Sequence, residues 1–168
     1  MVIETLVRTL KHLWFPDWTL RRRLPPRALQ EITHAIRDSE ARHRGEIRFA
    51  VDASLPLGLL MRGHSAAERA RDVFSALRVW DTEENNGVLI YLLLADRDVE
   101  IVADRGIDRR VGAERWEAIC HAMEAEFAAG HFEAGCIAGI EAVGRELERH
   151  FGGADTSGNE LVNRPTIL

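Results

Sequence analysis

Residues 88–95 read VLIYLLLA, eight apolar positions in a row with no charge and no alternation. Such a run is tolerated only where both sides are covered, in a strand held between layers or in a buried helix. Eight residues suits a strand and is short for a helix, and the branched side chains agree with the strand. Only Asp96 and Arg97 separate the run from DVEIVAD, which should therefore pair back on it as a hairpin. Upstream, EIRFAVD alternates with Ile47, Phe49 and Val51 on one side, the pattern of another strand.

The remaining segments can supply the covering layers. Pro25-Pro26 starts a helix whose face is Leu29, Ile32 and Ile36, running to about Arg44 with Gly45 closing it. Ser65 and Glu68 form a capping box ahead of Ala70, Val73, Phe74 and Leu77. Leu55, Leu57, Leu59, Leu60 and Met61 make an apolar connection before it, expected to pack over the sheet end. Trp116, Ile119, Cys120, Met123 and Phe127 keep helical spacing, as do Ile137, Ile140, Val143 and Leu147, with AAGHF as the joint. The order helix, strand, helix, strand, strand, helix, helix predicts a layered α/β domain in which EIRFAVD and VLIYLLLA run parallel.

With 168 residues, 46% hydrophobic and 29% charged, the chain is one ordinary domain with a core of its own, and neither disordered nor collagen-like. A net charge of -5 excludes a dedicated nucleic-acid binder, and two cysteines cannot make a disulfide framework. The charge is unevenly placed: residues 1–27 carry +4, leaving -9 for the rest. No apolar run reaches spanning length, and Arg8 and Lys11 interrupt the first apolar stretch with no cleavage site after it. Neither a membrane span nor a secretory signal is expected, and the expected location is the cytoplasm, peripheral at the inner face of the membrane.

Ile3, Leu6, Val7, Leu10 and Trp14 form one stripe of a helix that Pro16 should stop, and Trp14, Phe15 and Trp18 precede the arginines 21–23. That order suits a basic amphipathic segment, residues 1–25, contacting a membrane surface or membrane protein through residues 1–23. It equally suits a helix docked on the domain or on a partner subunit. At the other end, residues 152–168 read as a mobile tail, Gly, Ser, Thr and Asp rich, although its apolar close, ELVNRPTIL, can dock.

From FAVD through LRVWDTEENNGVLIYLLLADRDVEIVADRGI to VGAERWEAICHAMEAEFAAGHFEAGCIAGIEAVG, residues 26–151 resemble the TPM-domain family, named for a thylakoid-lumen protein, a photosystem repair protein and a nematode receptor modulator. The most specific pieces are the Trp80–Gly87 loop, the hairpin, the small polar stretch ending ADRGID, and F-x-x-G-x-F/Y-x-x-G at Phe127, Gly130, Phe132 and Gly135. The resemblance implies a three-layer α/β/α sandwich around a small mixed sheet. It also implies acid-phosphatase activity and divalent-cation binding, calcium first, in some members, and an accessory role in membrane assemblies in others. DRGID stands where many members have a Gly-aromatic-Gly turn.

The hairpin sorts the acidic residues into two groups. Asp104 and Asp108 should lie near Asp81, Glu83, Glu84, Asn85 and Asn86 on two adjoining loops, a set of oxygens suited to a hard cation, or simply a solvated acidic rim. With the resemblance, Asp81, Glu84, Asn86, Asp104 and Asp108 become the expected metal ligands. Asp104, Asp108 and Arg105 become the catalytic candidates, Arg105 holding phosphoryl oxygens. The opposite edge holds Asp52, Asp96 and Asp98, at the carboxyl ends of parallel strands where open α/β sheets usually bind ligands. Cys120-His121 and His131 to Cys136 lack zinc spacing, and no His is paired with a nucleophile motif.

Overall fold

The computed structural model describes residues 2–16, 18–153 and 158–168, with side chains from residue 6 onward in the first helix. Ile3 of the expected stripe therefore lies outside the described side chains. Three strands follow the sequence expectation: β1 (Glu46–Asp52), β2 (Gly87–Leu93) and β3 (Asp98–Ala103). β1 and β2 are parallel, with Glu46 opposite Gly87, and β3 folds back antiparallel, with Leu93 opposite Asp98 and Val88 opposite Ala103. Every residue of β2 is buried. The reason is the pleat: Val88, Ile90 and Leu92 enter one core, while Leu89, Tyr91 and Leu93 enter the other.

The first core is closed by α3 (Pro26–Glu40), α6 (Arg105–Val111), α7 (Ala113–Ala128) and α8 (Phe132–Phe151). The second is closed by α4 (Leu57–Met61) and α5 (Ala66–Ala76). The result is the three-layer α/β/α sandwich. α5 starts with the expected capping box: Glu68 N–H donates to Ser65 Oγ at 3.2 Å, and Ser65 N–H donates to Glu68 Oε2 at 2.8 Å. In the apolar connection, Leu60 of α4 is buried whereas Leu57 and Met61 are exposed.

The chain departs from expectation at four places. α3 ends at Glu40, short of Arg44, because the backbone of residues 42–44 turns to pair with the end of α8; Arg44 N–H donates to the Phe151 carbonyl at 2.9 Å. Trp18–Arg23 forms a short helix, α2, that buries Leu20. The polar stretch after β3 is α6 rather than a loop, begun by Asp104 as its N-cap.

The fourth departure is the tail. Its stretch from 158 to 168 is docked, and Thr166–Ile167 adds a strand, β4, parallel to β1, giving the order β3-β2-β1-β4. Buried Glu46 accepts the backbone N–H groups of Glu160 and Leu161, both at 3.1 Å, and Arg48 donates to the Val162 carbonyl and to Thr166 Oγ1.

α1 (Val2–Leu13) lies across the carboxyl end of the parallel strands, beside α4. It is held by its polar side. Arg8 and Lys11 pair with Asp96 at 2.9 and 3.1 Å, and His12 is buried between Asp96 Oδ2 and the Leu55 N–H, both at 3.0 Å. The Leu55 N–H must find a bare ring nitrogen, so Nδ1 accepts and Nε2–H donates to Asp96. The apolar stripe consequently faces outward. No described helix is long and apolar enough to cross a membrane.

Candidate functional site

At the start of β2 and the end of β3, Asp104 N–H donates to the Gly87 carbonyl at 2.9 Å, which brings Asp104 to the residue that follows Asn86. α6 is pressed against the loop before β2: a Cβ on Gly106 would lie 2.4 Å from the Asn85 carbonyl oxygen and 3.0 Å from that of Glu84. Asp104 Oδ1 accepts from Arg105 N–H at 2.7 Å, capping α6, and Asn86 Nδ2 donates to the Arg44 carbonyl at 2.8 Å. Their other oxygens, Asp104 Oδ2 and Asn86 Oδ1, are buried and have no hydrogen-bond partner among the described residues. Such a group has lost its water without compensation, which normally costs about 1–3 kcal/mol.

The remaining expected ligands are directed elsewhere. Asp81 is exposed and pairs with Arg78 at 3.4 Å. Glu84 takes a two-pronged bond from Arg44, at 2.7 and 3.2 Å. Asp108 accepts the Trp116 indole N–H at 3.1 Å across the joint of α6 and α7. Among the described residues no group of three or more His, Cys, Asp or Glu side chains is gathered as a metal cage. Glu83 offers its backbone N–H to Glu160 at 3.0 Å, which ties the loop to the docked tail.

Asn85 and Arg105, the chain neighbours of Asn86 and Asp104, line a cleft of about 450 Å³ together with Glu84, Gly106, Arg109 and Arg110. Arg105 and Arg109 are one helical turn apart and exposed, and Arg110 is anchored on the His150 carbonyl and over the Phe151 ring. Sequence reading found Arg105 but not Arg109 or Gly106. The signal was available, since Asp104 as N-cap and Gly112 at the end bracket a helix in DRGIDRRVG.

The opposite edge is occupied by its own contacts. Asp52 Oδ2 accepts from Arg69 Nε and from the Tyr91 hydroxyl, each at 2.8 Å. Burial, then the Asp52 charge, pushes the Tyr91 hydroxyl far above its ordinary pKa. Burial also pushes the Asp96 carboxyl up, but the bonds from His12, Arg8 and Lys11 outweigh it and hold it below the usual range. Asp98 is raised by burial first, then by Glu124 and Asp96. With α1 clamped over it, this edge is a structural junction.

One Ser–His pair escaped sequence reading. Ser39 and His43 are four residues apart and bonded Oγ to Nε2 at 2.9 Å, with His43 Nδ1–H donating to the Gly45 carbonyl at 3.0 Å. Both are only 1% exposed, and Gly144 of α8 closes over them, its Cβ position 2.0 Å from Ser39 Oγ. No substrate reaches this hydroxyl, so the pair is a packing lock. Burial drives the His43 pKa down to about 4. The unfolded chain therefore binds more protons between about pH 6.5 and 4, and His43 contributes stability that is present above that window and lost as pH falls through it. Urea unfolding should show a loss of about 2–3 kcal/mol from this group on going from pH 7 to 4, and His43→Gln should flatten that part of the slope.

Cys120 and Cys136 are buried and unlinked. Burial, reinforced for Cys120 by Glu100, pushes its thiol up to about 12, and burial raises Cys136 as well, as for thiols packed in a core.

Compared with known proteins, residues 22–146 match the TPM domain. The chain belongs to the TPM domain family. A solved TPM-like relative, the BA42 protein of the psychrophilic bacterium Bizionia argentinensis, is 31% identical over 84% of this chain and 93% of its own, with a TM-score of 0.74. The N-terminal domain of a P. gingivalis protein shares the fold at 20% identity, covering 77% of this chain and 82% of its own, with a TM-score of 0.61. No functionally curated protein matches the chain significantly. In this TPM domain the F-x-x-G-x-F-x-x-G signature is a packing device. Phe127 and Phe132 stack with centroids 5.2 Å apart and planes 6° from parallel, and Gly130 turns the chain at φ +90°.

Proposed function

We propose that this TPM domain binds a divalent cation, calcium first, where β2 begins and β3 ends, and acts as an accessory module at a membrane-associated assembly. The observation that carries the cation is the pair of buried, unpartnered oxygens, Asp104 Oδ2 and Asn86 Oδ1. Oxygen atoms stripped of water and of donors suit a hard cation, and a carboxylate with a carboxamide is a normal part of such a ligand set, water supplying other positions. Asp104 would hold the ion with the oxygen that α6 does not use.

Chelator-treated protein should melt about 5–10 °C higher with calcium at a hundredfold excess over its dissociation constant. Asp104→Asn keeps a good N-cap yet removes the charge, so it should abolish the rise at little cost in basal stability. Asp81→Asn should leave the rise intact, because that carboxylate is at Arg78. Calorimetry with no heat for calcium or magnesium would remove the cation from this reading.

A second reading, a metal-dependent acid phosphatase acting on phosphomonoesters, is favoured by the arginine-lined cleft. Arg105 and Arg109 suit the phosphoryl oxygens of a substrate, and the ion would polarise the same group. Asp104 would then serve as ligand, whereas Asp108 is held away by Trp116. Turnover of a chromogenic phosphate ester, lost in Arg105→Gln with cation binding kept, would establish the enzyme. No turnover across pH with calcium, magnesium or manganese leaves the accessory module alone.

A further inference from the structure

The first helix is mounted inside out. Arg8, Lys11 and His12, on one face, converge on Asp96, while Leu6, Val7, Leu10, Leu13 and Trp14 occupy the opposite face and stand in solvent, Trp14 at 85% exposure. A free amphipathic helix docking on a domain would bury its apolar side, so the polar clamp wins here only if the apolar side has another place to go. Two further apolar groups on neighbouring elements are exposed: Trp18 on α2, at 59%, and Met61 on α4, which α1 contacts, at 79%. Together they exceed the scattered single side chains expected of a monomer surface.

The charge near this face chooses the occupant. Arg21 and Arg22 are exposed on α2, while Arg23 is held against the Phe15 and Phe132 rings at 5.6 and 4.7 Å. Burial, then Arg97 at the hairpin turn and Arg22, disfavour the Arg23 charge, and Arg97 is itself exposed. Residues 1–27 carry +4 and the remainder -9. A second copy joined face to face would bring the exposed Arg21 and Arg22 of both copies together, like charge against like. An anionic lipid surface accepts both parts, the apolar face among the acyl chains and the arginines among the phosphates.

We propose that the outward face of α1, together with Trp18 and Met61, is a docking surface for an anionic membrane, with the Asp96 clamp fixing how the domain sits on it. This deepens the accessory-module part of the proposed function, and because cation binding is measured without lipid, either can fail alone. The full chain should co-sediment with vesicles of mixed phosphatidylglycerol and phosphatidylcholine, but not with phosphatidylcholine alone, with a blue shift of tryptophan emission and weakening as salt rises. Leu10→Asp with Trp14→Asp, both at exposed positions, should keep the circular dichroism spectrum and melting temperature and lower partitioning about 100-fold. Arg21→Gln with Arg22→Gln should lower it about 20-fold. Absence of binding, or equal binding to both vesicle types, overturns the proposal. So does a concentration-dependent dimer in sedimentation velocity that the Leu10→Asp, Trp14→Asp variant dissolves while vesicle binding is absent, which would assign the face to a second copy.

Discussion

Asp52→Ala is expected to remove about 3–5 kcal/mol of stability, the loss seen when one partner of a buried pair is deleted. The carboxylate is 4% exposed and one oxygen holds both the Arg69 guanidinium and the Tyr91 hydroxyl. These groups come from β1, β2 and α5, so the bond unites two parallel strands and the helix that crosses between them. Without it, Arg69 has a partly buried charge to resolvate and Tyr91 a buried hydroxyl with no acceptor. Tyr91→Phe alone should cost only about 1 kcal/mol, since donor and lost bond leave together and Arg69 still satisfies Asp52. Urea titration of the two variants measures both values. Equal losses would mean that the ion pair contributes nothing beyond packing.

The other large effect is expected at Phe127→Ala, at about 3–5 kcal/mol for an aromatic removed from a closed core. Phe127 is fully buried, stacks on Phe132, and reaches within 2.7 Å of where a Cβ on Gly135 would be. A side chain at 135 would drive the ring out of its stack, so Gly135→Ala should cost about 1–3 kcal/mol by overpacking. Gly130→Ala meets nothing in space but has to adopt φ +90°, which should cost about 1 kcal/mol. The four residues thus contribute through different physics, two by filling volume, one by leaving it empty and one by bending the backbone. Thermal or urea unfolding of the single variants would separate these contributions.

The strands, the parallel pairing and the hairpin were legible because each is a local pattern. VLIYLLLA had to be covered on both faces, and a two-residue break at Asp96-Arg97 left a hairpin as its short-range solution. The capping box and the turn at Gly130 were legible for the same reason, since Ser65 with Glu68, or a glycine between helical faces, states its role within a few residues. The return of Asp104 to the start of β2, at Gly87, also followed from the hairpin alone. What could not be read was which way each carboxylate turns. Asp81, Glu84 and Asp108 are near in sequence terms, yet Arg78, Arg44 and Trp116 draw them off, and two of those partners lie on elements that only the folded chain brings alongside.

Sequence by itself therefore determined the layers, the order of β1, β2 and β3, the family, and the end of the sheet where acidic residues and Arg105 gather. These rest on apolar periodicity and turn chemistry, which act over a few residues. The tertiary structure alone decided that the tail becomes β4, that α6 exists where a loop was expected, and that α1 docks through Asp96 with its apolar side outward. Each of those outcomes depends on where a polar group finds its partner. Glu46 and Arg48 take up the tail, Asp104 caps α6, and Asp96 gathers three side chains from more than 80 residues away. A hydrophobic stripe announces that it will be buried but not against what, whereas a buried carboxylate accepts only the donors that the fold delivers to it.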